Sequence, residues 1–417
     1  MHGLKMLKSS AVIILLLLSV STALVRAGDW PQWRGPDRND LSKETGLLKQ
    51  WPDGGPKLAW LFKDAGLGYA GYSIAGGKLF TMGARAEKEF LIAVDVKDGK
   101  ELWSTPIATT LKNGWGDGPR GTPTVDGKLV YALSGQGTLI CANVADGKEL
   151  WSVTMQSLGG KTPGWGYTES VLVDGKQVLC TPGGDKGAVV ALDKLTGKVL
   201  WQSGDFTDGA QYASIISADL NGARQYIQLT MKSVVGLNSA DGKTLWRADW
   251  PGRTAVIPTP IQRDGLVYVS AGYGVGCQMV KVGSGNQLTG IYTNKVMKNH
   301  HGGVILVGNH LYGHSDGPGW VCQDFKTGAE VWASKNLGKG AIAYADGMLY
   351  LLEEGSGTVA LIEASPKSWS EKSRFKLEPQ TTQRNPQGRI WTHPVISNGK
   401  LYLRDQELLF CFDVKAK

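Results

Sequence analysis

The sequence predicts an all-β protein: an eight-bladed β-propeller of four-stranded antiparallel blades, closed by an N-terminal strand. Three observations predict it. A hairpin pattern, Ala191-Leu-Asp193-Lys-Leu-Thr-Gly197-Lys-Val-Leu-Trp201, recurs around Asp95/Gly99/Trp103, Asn143/Gly147/Trp151, Asn238/Gly242/Trp246 and Asp324/Gly328/Trp332. A spacing of forty-odd residues between copies marks an array of one supersecondary unit. Upstream of each hairpin position lies a second tight turn, at Gly76, Asp126, Asp174, Asn221, Asp264, Gly308, Asp346 and Asn398, so the units number eight. Lastly, the eighth unit ends near Asp413 without its Trp strand, while Lys57 to Lys63, carrying Trp60, matches that strand and stands unused at the front. A ring zipped by its own first strand leaves no exposed sheet edge.

Each hairpin has a local cause. Small and β-branched residues before Asp193, and Lys-Val-Leu-Trp after Gly197, favour two strands about a turn, with glycine supplying positive φ. The Asp or Asn that ends the third strand caps turn amides through its side-chain oxygen, so these carboxylates read as structural. Trp60, Trp103, Trp151, Trp201, Trp246 and Trp332 close the hairpins. Each buries on the order of 150–250 Å² and reads as glue between units. Two units depart from the pattern, at 282–286 and 363–369.

Residues 1–27 read as a secretory signal peptide: Lys5 and Lys8, an apolar run over 11–18, and Val25-Arg-Ala27 as a small-x-small cleavage site. No cysteine follows that run, so lipoprotein processing is not indicated. The expected mature chain is periplasmic or secreted, without a transmembrane span, and monomeric. Losing Lys5, Lys8 and Arg26 lowers the formal charge of +8 to +5, with Lys and Arg dispersed rather than in runs, which argues against nucleic-acid binding. Residues 28–56, with Trp30, Trp33, Trp51 and several prolines, fit no blade and read as a strap packed against the propeller of residues 57–417. Cys141, Cys277, Cys322 and Cys411 occupy third strands and Cys180 a second strand; blade-to-blade spacing of about 10 Å is too long for a disulfide, so all five are expected reduced.

Loops from a fourth strand to the next first strand share one face with the loops from second to third strands, and function concentrates there. On that rim the sequence places Trp115, Arg120, Trp165, Tyr167, Glu169, Gln211, Tyr212, His300, His301, His314, Asp316, Trp320, Arg389, Trp391 and His393. This mixture of aromatic and polar groups suits a ligand or a partner. His300, His301, His314 and Asp316 form a candidate metal cluster, although their spacing diagnoses no metal. Glu169 beside Arg120 or Arg389 reads as a rim ion pair. Glycine-rich pieces such as 272–276 are not phosphate loops, since no helix follows.

The motif at 191–201 resembles the repeat of quinoprotein-type eight-bladed propellers, the PQQ-like repeats, over about residues 57–414. The chain is similar to compact, non-quinone BamB-like members, and its Asp29-Trp-Pro-Gln-Trp-Arg-Gly-Pro leader resembles that of exported bacterial PQQ-like proteins. The resemblance implies one of two roles. The first, which we favour, is a non-catalytic scaffold in the envelope that binds a protein or a polysaccharide through its aromatic rim, as in outer-membrane assembly, with no cofactor. The second is a PQQ- and calcium-dependent alcohol or sugar dehydrogenase, with Trp115, Trp165, Trp320 or Trp391 as cofactor platform and Asp185, Glu169 or Asp316 as base. Enzymes of that type commonly use adjacent cysteines against the cofactor, and here no two cysteines adjoin.

Overall fold

The hairpin repeats fold into eight sheets around a central channel, in a computed structural model that describes residues 28–416. The expected signal peptide, 1–27, lies outside the described residues. The inner strands of blades 1 to 8 are Tyr72–Ala75, Thr124–Asp126, Leu172–Asp174, Ile216–Leu220, Ile261–Arg263, Val304–Val307, Gly340–Ala345 and Val395–Ser397. Each is followed by a second and a third antiparallel strand, and in blades 1 to 7 by a fourth. Blade 8 takes its outer strand from the front of the chain: Lys57–Phe62 pairs antiparallel with Leu408–Asp413, Lys57 opposite Asp413 and Phe62 opposite Leu409. No helix among the described residues is long and apolar enough to cross a membrane.

Turn chemistry follows the sequence. Positive φ at both turn residues, as in type I′ hairpins, occurs at Gly76-Gly77, Asn221-Gly222, Asp264-Gly265, Asp346-Gly347 and Asn398-Gly399. At the second hairpin, Asp193 Oδ1 accepts from the amides of Leu195 and Thr196 and from the Thr196 hydroxyl. Asp95, Asn143, Asn238 and Asp324 cap their turns in the same way. The five cysteines are buried and free.

The tryptophans join blades by one repeated contact. Trp60 Nε1 donates to Val96 O (2.8 Å), Trp103 to Val144 O (3.3 Å), Trp151 to Lys194 O (3.1 Å) and Trp201 to Ser239 O (3.2 Å). Each acceptor precedes a turn glycine by three residues, and the indole lies over that glycine. A Cβ on Gly99, Gly147, Gly197 or Gly242 would come within 2.3–2.7 Å of the ring from the preceding blade. Tyr292 stands in for Trp in blade 5, its hydroxyl donating to Phe325 O with its ring over Gly328. Trp246 departs from the pattern. The blade 5 turn after it has lost the consensus, and its indole donates instead to Gln225 Oε1 of its own blade (2.7 Å).

Residues 28–48 pack into the ring from the face that carries the first-to-second and third-to-fourth turns. Gly28 O accepts from Ser397 and Asn398, Trp30 bridges Ile74, and Pro31 O accepts from Val125 N. At the tip Trp33 Nε1 reaches Thr259 Oγ1 (3.1 Å), while Arg34, 2 % exposed, donates to Val304 O and pairs with Asp40 at 2.9 Å. Arg38 donates to the Ser170 and Val171 carbonyls. Leu41–Ser42 then runs out parallel to Gly340–Ala345, making blade 7 five-stranded, a departure from the uniform four-stranded expectation. The strap thus touches inner strands around most of the ring and plugs the channel. Arg34, Arg38 and Asp40 all hold positive φ, strain that these contacts over-determine.

Across the closing seam Arg404, fully buried, donates to carbonyls of Ala65, Gly66, Ala70 and Met82 and to the Thr81 hydroxyl. Arg404→Met would leave these acceptors short of a donor and should cost about 3–5 kcal/mol in a denaturant titration. Gly197→Ala meets both a positive φ of 69° and the Trp151 ring. It should cost at least about 1–2 kcal/mol, and Gly164→Ala, which meets no atom within 4 Å, should be close to silent.

Candidate functional site

Because the strap fills the channel from one end, the other end becomes a cup of about 220 Å³. Trp33 and Arg34 contribute to its lining from the plug. Loops entering the inner strands build the wall: Tyr69 before blade 1, Trp115 and Arg120 before blade 2, Trp165 before blade 3 and Tyr212 before blade 4. Pro258 and Thr259, His300 and His301, then Trp391 and His393, complete it before blades 5, 6 and 8, and Tyr273 enters from the second-to-third loop of blade 5.

The aromatic rings brace one another. Trp391 lies 4.8 Å from Tyr69, 6.4 Å from Trp115 and 5.9 Å from His301 by ring centroids. Trp165 meets Tyr212 edge-on at 5.8 Å and Trp33 meets His393 at 4.6 Å. The Arg120 guanidinium lies 5.0 Å from the Tyr69 ring centroid and donates to Gly116 O. Trp115, 44 % exposed, presents its ring at the mouth.

Two polar chains back the wall. His301 Nε2 lies 2.5 Å from Glu354 Oε2, which also accepts from Trp391 Nε1 at 2.8 Å. Burial works against ionisation of Glu354, but the His301 hydrogen bond, the Lys339 charge and the indole outweigh it and keep the carboxylate ionised. In the second chain His300 sits between Tyr273 Oη (2.6 Å from Nε2) and Lys339 Nζ (2.5 Å from Nδ1), and Lys339 also faces Asp316 at 3.4 Å. Burial foremost, then the neighbouring His301 and Lys339, push the His300 pKa down to about 3, so the ring is neutral.

Of the rim residues read from the sequence, Trp115, Arg120, Trp165, Tyr212, His300, His301, Trp391 and His393 line the cup. The others face elsewhere. Tyr167 is buried and donates to Pro182 O; Trp320 is buried and donates to Gly338 O. Gln211 ties Ala210 O to Val256 N, and Arg389 is exposed and folds back on Pro386 and Gly388 carbonyls. Asp185 is an exposed loop residue. Glu169 forms no rim ion pair with Arg120 or Arg389. It is 1 % exposed and accepts from the amide and hydroxyl of Thr181, because its place beside the first strand of blade 3 turns it into the ring wall. Tyr69, Tyr273, Lys339, Glu354, Trp33 and Arg34 are site residues that the sequence reading passed over. Only Gly272-Tyr273-Gly274 left a signal, a bulky residue in a turn built for glycine.

The candidate metal cluster does not assemble. His314 packs edge-on to Trp320, Asp316 faces Lys339, and the two neighbouring histidines belong to different polar chains. Among the described residues no three His, Cys, Asp or Glu side chains converge to hold a metal ion. The donor set does not fit a quinone with its calcium either. Glu354, Asp316, Asp40 and Glu169 are each committed to a protein partner, and the cysteines are buried in separate strands.

Comparison with known proteins agrees with this geometry at the level of family and fold. Residues 87–334 match the family described as outer membrane protein assembly factor BamB. The chain belongs to that family. The crystal structure of BamB from Moraxella catarrhalis is similar at 15 % identity, covering 81 % of this chain and 94 % of that one with a TM-score of 0.56. The quinohemoprotein alcohol dehydrogenase ADHIIG from Pseudomonas putida HK5 is similar at 13 % identity, with 94 % and 81 % covered and a TM-score of 0.63. The computationally designed Ika8 protein follows at 12 % identity, 86 % and 100 % covered, TM-score 0.58. At these identities the likeness is one of fold. No curated protein sequence matches the chain.

Burial foremost raises the Glu169 pKa from the ordinary carboxyl range to about 7, against the opposing pull of the Thr181 bonds and Arg38. The folded value lies above the unfolded one, so the folded state binds this proton more tightly. This contribution is therefore fully favourable below about pH 4.5 and is lost as pH rises to about 7, by roughly 3 kcal/mol. In this BamB-family propeller, Glu169→Gln should flatten that slope in unfolding titrations between pH 5 and 7.

Proposed function

We propose that this chain is an exported, non-catalytic scaffold that holds a partner at the aromatic cup, in envelope assembly of the kind named for its family. The observation that carries the reading is the cup itself: a site braced ring against ring, plugged from below, whose nearby carboxylates are all engaged. Rigid aromatic surface with few free charges suits binding, because little conformational entropy is lost when an occupant seats. A general acid or base would instead need a titratable group poised near the working pH and free to meet substrate. His300 is held far below that range, and Glu354 is ionised and doubly bonded. Membership of a family described by outer-membrane assembly supports an envelope location.

A photo-crosslinking residue in place of Trp115, at the exposed mouth, should yield a discrete adduct in envelope preparations. The same residue in place of Leu200, on the outer strand of blade 3, should not. Dye reduction by the purified chain after addition of quinone and calcium should stay at background; turnover lost in Asp316→Asn would overturn the scaffold reading.

A further inference from the structure

The hydrogen-bonding groups of the cup restrict what kind of occupant it takes. Lys339 Nζ, as an ammonium, has hydrogens to give and no lone pair. His300 Nδ1, 2.5 Å away, must therefore accept, which leaves the ring proton of this neutral imidazole on Nε2. Nε2 in turn lies 2.6 Å from Tyr273 Oη and donates to it. The phenolic hydrogen is thereby freed from His300. Tyr273, whose pKa burial raises, stays protonated and offers an O–H donor at the cup wall.

A backbone observation points to the same residue. Tyr273 holds φ of 55°, a left-handed conformation that costs a non-glycine residue about 1–2 kcal/mol. Its glycine neighbours would adopt that conformation without penalty, yet the tyrosine sits there, edge-on to His300 at 4.5 Å. Strain held at one wall residue of a cavity is the usual mark of a placed functional side chain.

The neighbouring chain has the opposite polarity. Glu354, being ionised, only accepts, so the proton of His301 lies on Nε2, 2.5 Å from it. Burial foremost lowers the His301 pKa, against the pull of Glu354, which favours a neutral ring with its lone pair on Nδ1. That nitrogen is buried with no hydrogen-bond partner, on a residue that lines the cup. Arg120 adds a second unused donor, since its Nε is buried and unpaired while Nη2 is held by Gly116 O.

The cup therefore carries an O–H donor at its wall, with an unpaired N–H of Arg120 and an unpaired nitrogen of His301 buried within residues of its aromatic lining. An apolar side chain would bury these groups unsatisfied, at about 1–3 kcal/mol each. A polyanion has nothing to donate to His301, and the Glu354 carboxylate lies just behind that ring. Hydroxyls both donate and accept, and a pyranose ring adds an apolar C–H face to lie on an indole. At about 220 Å³ the cup takes one ring rather than an extended chain, and the exposed Trp115 marks where a chain would continue. We propose that the cup is a binding site for a terminal neutral sugar residue of a glycan, with Tyr273, His301 and Arg120 as its polar contacts. This rests on the reading of the cup as a partner-binding site.

The test titrates the full mature chain with neutral tetrasaccharides of glucose, xylose and N-acetylglucosamine, and with tetragalacturonate as the acidic arm, following tryptophan fluorescence and calorimetry. At least one neutral probe should bind saturably. Tyr273→Phe should weaken it about 5–10-fold with unchanged circular dichroism and melting, and Trp391→Ala should abolish it. The proposal is overturned if no neutral probe binds at millimolar concentration, if only tetragalacturonate binds, or if binding survives both substitutions. A discrete cross-linked protein adduct at Trp115 without sugar binding would sink this inference alone and leave the scaffold reading standing.

Discussion

The fold depends on an indole lying flat on a glycine of the next blade. A four-stranded blade has two apolar faces and cannot bury either alone, so its stability exists only at the contacts with its neighbours. The Trp of one outer strand covers the turn glycine of the next blade and bonds the carbonyl three residues before it, as Trp151 does with Gly197 and Lys194. The glycine is fixed twice over: positive φ demands it, and the ring occupies the space a Cβ would fill. A chain of such contacts is open until its ends meet. Trp60 makes the closing join, carrying the N-terminal strand of blade 8 onto the blade 1 turn at Val96.

Closing a ring of eight creates a second problem at its centre. Inner strands present an unpaired edge to the channel, and backbone groups left there without partners would be costly. The strap answers this with main-chain bonds at Trp30, Pro31 and Leu41–Ser42 and with the guanidiniums of Arg34 and Arg38 on inner-strand carbonyls. Two buried cations need compensation, which Asp40 and the carbonyl dipoles supply. The same segment that satisfies the edges thereby decides that the channel is a one-ended cup.

How much of this was legible follows from what each residue's signal depends on. Turn glycines, capping Asp and Asn, and docking Trp are dictated locally and repeat, so blade number, order and the front-to-back closure could be read from spacing. The cup is different, because eight loops from distant positions meet there and depth is not encoded in local pattern. Trp115 and Trp391 could be placed on the rim as large residues in glycine-rich loops. Glu169 sits in a similar loop, yet two bonds from Thr181 turn it into the wall. Glu354 and Lys339 were passed over because they flank blade 7 strands as single charged residues outside any recurring motif, and Trp33 because its partner Thr259 lies 226 residues away.

The electrostatics of the cup bear on its occupant more strongly than its aromatic content does. Arg120 and Lys339 are cationic: Lys339 is answered by Asp316 and the His300 lone pair, while Arg120 has Gly116 O and the Tyr69 ring but no carboxylate partner. Glu354 is answered by His301 and Trp391. Desolvating a new charge in such a place would cost several kcal/mol, with Arg120 alone left to offset part of it. What remains uncommitted is dipolar: a phenolic hydrogen, an imidazole lone pair and one guanidinium N–H. A site whose charges are mostly answered within its own wall while its dipoles stay open favours an uncharged, hydroxyl-rich ligand, and the surrounding rings then favour one with a flat apolar face.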